Sequence, residues 1–301
     1  MTSWTAADAP DQTGRTALVT GANSGLGLRT SIALASKGAR VLMACRDAGR
    51  AQEALERVRA AAPGAQVELV SLDLASLDSV QRAAEVVASR LDALDLLVDN
   101  AGVMATPRAT TADGFELQFG TNHLGHFALT GRLLPLLLAA PEPRVVVVSS
   151  AAHRMGKIDV DDLQSERSYS RWGAYGQSKL ANLLFARELD RRVPALLVAA
   201  AHPGYAATHL QNGHGSALLA GVMRIGNAVL AQSDQAGALP SIYAATMPDV
   251  RSGDYWGPGF AELRGAPKRV GRSKAASDDA MASRLWEQSE RLTDVAYALP
   301  C

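Results

Sequence analysis

The sequence predicts an α/β fold of one domain, a doubly wound parallel sheet of the Rossmann type with helices on both faces. Three observations predict it. Short apolar or β-branched runs recur about every 25 to 30 residues with longer amphipathic stretches between them, the pattern of βαβ units. The runs are apolar throughout instead of alternating, so both faces of the sheet must be covered. A glycine-rich turn, "TGANSGLG", follows the first run directly.

Strands are expected at 16–20 ("TALVT"), 40–45 ("RVLMAC"), 66–71 ("QVELVS"), 94–100 ("LDLLVDN"), 144–150 ("RVVVVSS") and 195–202 ("ALLVAAAH"). Helices are expected after them at 26–36, 48–62, 79–91, 115–138, 175–192 and 235–247, with a last one at 278–292. Residues 1–14 read as a loose tail, and 151–173 and 205–232 as irregular stretches. The Leu- and Met-rich part of the latter has helical spacing and is either a mobile lid over a substrate or a plain packed helix. No internal repeat or low-complexity linker divides the chain, and one domain spans 1–301.

A chain of 301 residues with 48% hydrophobic content can bury one large core. Thirty basic residues balance thirty acidic ones with no block of like charge, which argues against nucleic acid or an acidic membrane surface as partner. A small, weakly charged ligand fits better. The two cysteines, Cys45 and Cys301, are far apart and lack metal-ligand spacing, so a reducing compartment and no structural metal are expected. The N-terminus lacks the basic flank and apolar run of a signal peptide. The longest greasy stretch near the middle, "LLPLLLAA", contains Pro135 and is far short of the roughly 20 residues that span a bilayer. A soluble, cytoplasmic protein is expected.

Gly21, Gly25 and Gly27 have the spacing G-x-x-x-G-x-G at the junction of the first strand and first helix. Glycines there allow a tight turn and let backbone N–H groups approach a pyrophosphate at the positive end of the helix. Farther on, "AYGQSK" places Tyr175 and Lys179 four apart in a helical segment, hence on one face. Taken alone, Tyr-x-x-x-Lys is a weak signal.

With "TGANSGLG", "LVDNAGVM", "VVVVSSAAH" and "YGQSKLAN" in this order, followed by "HPGYAATHL", the chain resembles the short-chain dehydrogenase/reductase family over nearly its whole length, and within it the retinol dehydrogenase-like branch. The resemblance implies a dinucleotide held by Gly21, Ser24, Gly25, Leu26 and Gly27, by Asp73 and Leu74 near the adenine, and by Asn100, Ala101 and Gly102. It implies Pro203, Gly204 and Thr208 around the nicotinamide amide, with Tyr175 and Lys179 reaching the cofactor as well. It assigns Ser150 to the substrate oxygen, Tyr175 to proton transfer, and Asn122 to a water that links Lys179 to solvent. One departure is Asp99, where the family commonly carries Asn before Asn100-Ala101-Gly102.

Cofactor choice is read at the end of the second strand, about 20 residues past the glycines, where an acidic side chain would bind the ribose 2′-hydroxyl. The position holds Arg46, whose guanidinium suits a 2′-phosphate, so NADP(H) is favoured over NAD(H). A one-residue shift would present Asp47 instead, and the lesser alternative for Asp73 is to cap the next turn. A free phenol titrates near 10, and a cation within about 4 to 6 Å lowers such a value by about 1 to 3 units, so Lys179 is expected to tune Tyr175 downward.

His123 and His126 lie three apart, but no carboxylate or cysteine completes a metal set, and packing histidines are expected. His153 either touches substrate or bonds to backbone, and Tyr169 and Trp172, in the stretch between Ser150 and Tyr175, are candidates for a pocket wall. The expected reaction is hydride transfer between NADP(H) and a carbonyl or alcohol. The rivals are a non-catalytic NADP(H)-binding sensor or scaffold and a C=C reductase like the protochlorophyllide reductases. Family members commonly pair through their two long helices, so a homo-oligomer is left open.

Overall fold

The computed structural model describes residues 4–204 and 233–298. The segment 205–232, with Thr208, and Cys301 lie outside the described residues. Strands β1 (Thr16–Thr20), β2 (Arg40–Cys45), β3 (Val67–Ser71), β4 (Leu96–Asp99), β5 (Arg144–Val148), β6 (Leu197–Ala201), β7 (Tyr255–Phe260) and β8 (Arg264–Arg269) form one sheet. Their order is β3-β2-β1-β4-β5-β6-β7-β8, parallel except for the last pair. The chain winds outward from β1 to β3, then crosses to β4 and continues the other way. This reversal opens a crevice at the carboxyl ends of β1 and β4, where open α/β sheets bind ligands.

Successive side chains of each strand enter opposite layers. Leu18, Leu42, Val70, Leu97 and Val147 pack under α3 (Leu77–Ala88), α5 (Gly125–Ala139) and α6 (Arg171–Arg192). Val19, Val41, Met43, Val98 and Val146 pack under α1 (Gly25–Ser36), α2 (Ala48–Ala61) and α7 (Asp234–Thr246). The short α4 (Leu117–Phe119) passes through a π-helical segment (Gly120–Leu124) into α5. Helix α8 (Asp279–Thr293) lies on α5 and α6, with the Trp286 ring 5.0 Å from Phe127 and 5.9 Å from Phe185.

Four expectations change. From Trp4 onward the N-terminal stretch is not loose: Thr5 and Asp8 form a capping box, Trp4 packs edge-on against Tyr243 at 4.9 Å, and Gln12 N donates to Lys37 O at 2.7 Å. Helix α6 begins four residues before Tyr175, because Ser170 caps it by accepting from Gly173 N. The long helix expected at 115–138 is interrupted by the π-helical turn, a widening that periodicity does not report. Strands β7 and β8 were not anticipated. "YWGPGF" and "RGAPKR" carry glycine and proline and end in exposed positions, which a hairpin on the sheet edge tolerates and an interior strand does not.

Candidate active site

The turn between β1 and α1 is shaped for a close-lying ligand. Gly25 has φ +50, which favours glycine, and open space lies where a side chain would project. A Cβ on Gly27 would collide with the Gly21 carbonyl and the Asn100 amide, so only glycine lets α1 sit this near β4. Ser24 occupies the N-cap without a side-chain hydrogen bond to the first turn, leaving helix N–H groups for an anion. Thr20 fastens the neighbouring strand end: its Oγ1 accepts from Asn100 N and Ala101 N, both at 2.9 Å, while its carbonyl accepts Asn100 Nδ2 at 2.7 Å.

At the end of β2, Arg46 is exposed and its guanidinium stands 3.9 Å from Asp73. Asp47 is committed locally, since its Oδ1 accepts Arg50 N at 2.9 Å and caps α2. Asp73 also caps a turn, accepting Ala75 N at 3.0 Å. Leu74 is buried.

Tyr175, Lys179 and Ser150 meet where α6 crosses the end of β5. Tyr175 is 9% exposed, and the Ser150 side chain is near enough to its phenol to ease its ionisation. Burial raises the phenol above its usual 10, and the nearby Ser150 side chain offsets this only in part. Lys179, 4% exposed, is pushed down to about 8 by the same burial. The expected downward tuning of Tyr175 by Lys179 is therefore corrected: desolvation sets the direction, Ser150 is the group that opposes it, and Lys179, whose Nζ sits 5.9 Å from the phenol ring centroid, does not bring the phenol down. That ammonium donates to Val148 O at 3.1 Å, its single described acceptor, which leaves N–H groups for ribose hydroxyls. Gly102 lies between the Lys179 and Asn122 head groups, as its absent Cβ would be 3.4 Å from Lys179 Nζ and 3.0 Å from Asn122 Oδ1. The uncapped helix end, the bare glycine surface and this lysine together fit a dinucleotide.

Asn122 is in the π-helical turn and fully buried. Its side chain is fully occupied, accepting Val103 N at 2.8 Å and donating to Val103 O and Ser178 Oγ at 2.9 Å. Its main-chain carbonyl accepts from His126 Nδ1 at 3.0 Å. Burial lowers His126 to about 4, so the ring is neutral and its Nε2 accepts the Thr20 hydroxyl at 2.9 Å. His123 pairs with Ser289 at 2.8 Å inside the core. His153 bonds to Ser150 O at 2.7 Å and accepts Ser273 N at 3.3 Å, so it is tied to backbone. The Tyr169 hydroxyl is spent on Thr106 O and Gln118, both at 2.9 Å, whereas Trp172 is half exposed and edge-on to Tyr175 at 6.0 Å. Pro203 and Gly204 follow β6, and Gly204 N donates to His202 Nδ1 at 3.2 Å.

Sequence reasoning missed Thr20, Gln118 and the bridging role of His126. Each acts through partners distant in sequence, which residue spacing does not signal.

A glycine cradle at a sheet reversal, beside buried Tyr175 and Lys179 and half-buried Ser150, is the arrangement of a dinucleotide-dependent oxidoreductase of the Rossmann class. The family model described as short chain dehydrogenase matches residues 15–218, and the chain belongs to that family, in its retinol dehydrogenase-like branch. It is 42% identical over 297 residues to retinol dehydrogenase 14 of Mus musculus, covering 94% of this chain and 86% of that one. It is 40% identical over 287 residues to retinol dehydrogenase 13 of Homo sapiens, covering 93% and 84%. Among solved structures, an uncharacterized protein from Mycobacterium Paratuberculosis superposes with a TM-score of 0.82 at 44% identity, covering 99% of this chain and all of that one. The Pseudomonas aeruginosa RhlG/NADP active-site complex superposes at 0.65 with 25% identity, covering 81% and 94%. Among the described residues no helix is long and apolar enough to cross a membrane.

Proposed function

We propose that this protein is a cytoplasmic NADP(H)-dependent aldehyde or ketone reductase, working reversibly on the corresponding alcohol, with Tyr175 as general acid and base. The observation that carries the reading is the meeting of Ser150, Tyr175 and Lys179 beside the glycine cradle. When bound, the nicotinamide supplies or accepts the hydride. Gly21, Ser24, Gly25, Leu26 and Gly27 would hold its pyrophosphate, Asp73 and Leu74 its adenine side, Asn100, Ala101 and Gly102 its middle, and Pro203 and Gly204 its amide end.

In this reading Ser150 holds the carbonyl oxygen and Tyr175 gives it a proton. A raised phenol pKa keeps Tyr175 protonated until then, and the positive charge of Lys179, one turn along the same helix, would stabilise the phenolate formed. The Asn122 side chain is consumed by Val103 and Ser178, so its main-chain carbonyl serves the proton relay. NADP(H) is supported by exposed Arg46 and by Asp47, whose carboxylate is engaged as a helix cap.

The test is a panel of aldehydes, ketones and retinal, with NADPH and NADH in parallel, followed by nicotinamide absorbance and product analysis. Tyr175→Phe is expected to lose on the order of 10² to 10⁴ in kcat while still binding NADPH. Near-normal turnover by that variant would refute the role. Cofactor binding without turnover across the panel would instead favour a sensor, and a saturated C–C product a C=C reductase.

A further inference from the structure

We infer that Gln118 is a positioning residue for substrate selection: its buried amide ties the loop after β4 to the segment that presents Trp172 beside Tyr175. The inference rests on the reductase reading above for what the walls enclose, but the clasp itself is independent of it.

Gln118 and Asn122 are four apart and grip one stretch of loop at positions two residues apart. Asn122 holds Val103 through its N–H and carbonyl, at 2.8 and 2.9 Å. Gln118 Oε1 accepts Ala105 N at 2.7 Å. On its other side, Gln118 Nε2 donates to Tyr169 Oη at 2.9 Å and to Arg171 O at 3.0 Å. Tyr169 closes the ring by donating to Thr106 O at 2.9 Å. Both amide N–H groups and the amide oxygen of Gln118 are thus used, and the residue is fully buried.

Two features show what the clasp does. Ala105 has φ +50, a left-handed backbone that a non-glycine residue keeps only when its surroundings hold it. Arg171 begins α6, and the next residue is Trp172, 46% exposed, its ring 6.0 Å from Tyr175 at an interplanar angle of 80°. Gln118 therefore joins the loop that begins at Gly102, beside Lys179, to the segment that presents Trp172 beside Tyr175, and none of its own hydrogen bonds goes to Ser150, Tyr175 or Lys179. Its loss should change which carbonyl compounds fit and leave proton transfer in place.

Gln118→Leu removes the clasp at its centre, and Tyr169→Phe removes it from the half-buried side with little risk to folding. For the bulkiest ketone the wild type reduces, each variant is expected to raise KM roughly tenfold, a loss near one buried hydrogen bond, with kcat and NADPH affinity within about threefold. The double variant should be no worse than the poorer single one, since both remove the same unit. Hydrogen exchange over 103–108 reads the clasp without turnover: the Ala105 amide should lose protection in Gln118→Leu. Unchanged KM in Tyr169→Phe and unchanged exchange in Gln118→Leu would overturn the inference, as would a fall in kcat with KM constant. A wild type with no turnover, but with the exchange effect present, would refute the reductase reading and leave the clasp standing.

Discussion

Arg46 is the side chain on which the proposed preference for NADP(H) rests. Its guanidinium is 68% exposed at the end of β2, with the Asp73 carboxylate 3.9 Å away as a loose counter-ion that a 2′-phosphate would displace. Exposed pairs of this kind are worth at most about 1 kcal/mol, whereas a charge-assisted bond to phosphate contributes about 1.5 to 3. Arg46→Ala should therefore lower kcat/KM for NADPH by roughly 10- to 100-fold and leave NADH almost unchanged. Equal losses with both nucleotides would show that Arg46 acts on something they share.

The contact between β4 and α5 carries an unusual group. Asp99 ends β4 with no exposure, its Oδ2 accepting the Thr130 hydroxyl at 3.0 Å and its Oδ1 without a partner. Burial raises this carboxyl from 3.8 to about 8, with the Thr130 bond pulling slightly the other way. Between those limits the folded protein keeps a proton that the unfolded chain has released, so stability falls as pH rises through that window and levels off above it. Each pH unit costs up to about 1.4 kcal/mol there. Asp99→Asn should flatten this slope, with its Tm advantage over wild type growing from about pH 5 to about pH 8 and then holding steady. Parallel Tm profiles across that range would show that Asp99 is not buried as the acid. The Asn expected at this place from the family would lack the titration.

In the assembled molecule the C-terminal part of the chain closes what the sheet leaves open. Strand β8 covers the edge of β7, and α8 with Tyr297 covers α5 and α6. Trp286 is the centre of that contact, stacked on Phe185, edge-on to Phe127 and 4.4 Å from Tyr297, with Arg192 over its ring at 5.0 Å. Trp286→Ala should destabilise by about 3 to 5 kcal/mol, read as a lower denaturant midpoint at constant slope. A loss below about 1 kcal/mol would mean that α8 is held elsewhere.

The alternation of apolar strands and amphipathic helices was enough to place β1 to β6, because burial on both faces leaves local marks in residue type, while Ser150, Tyr175, Lys179 and Asn122 were nominated by the ordered motifs and the resemblance they carry. The hairpin β7–β8 left no such mark, since an exposed edge accepts glycine, proline and arginine alike. Nor did residue type foretell the direction of the Tyr175 shift, the bridge from Thr20 through His126 to Asn122, or the Gln118 clasp. Desolvation and hydrogen bonds between residues far apart in the chain exist only once the layers have closed, and tertiary structure alone decided them.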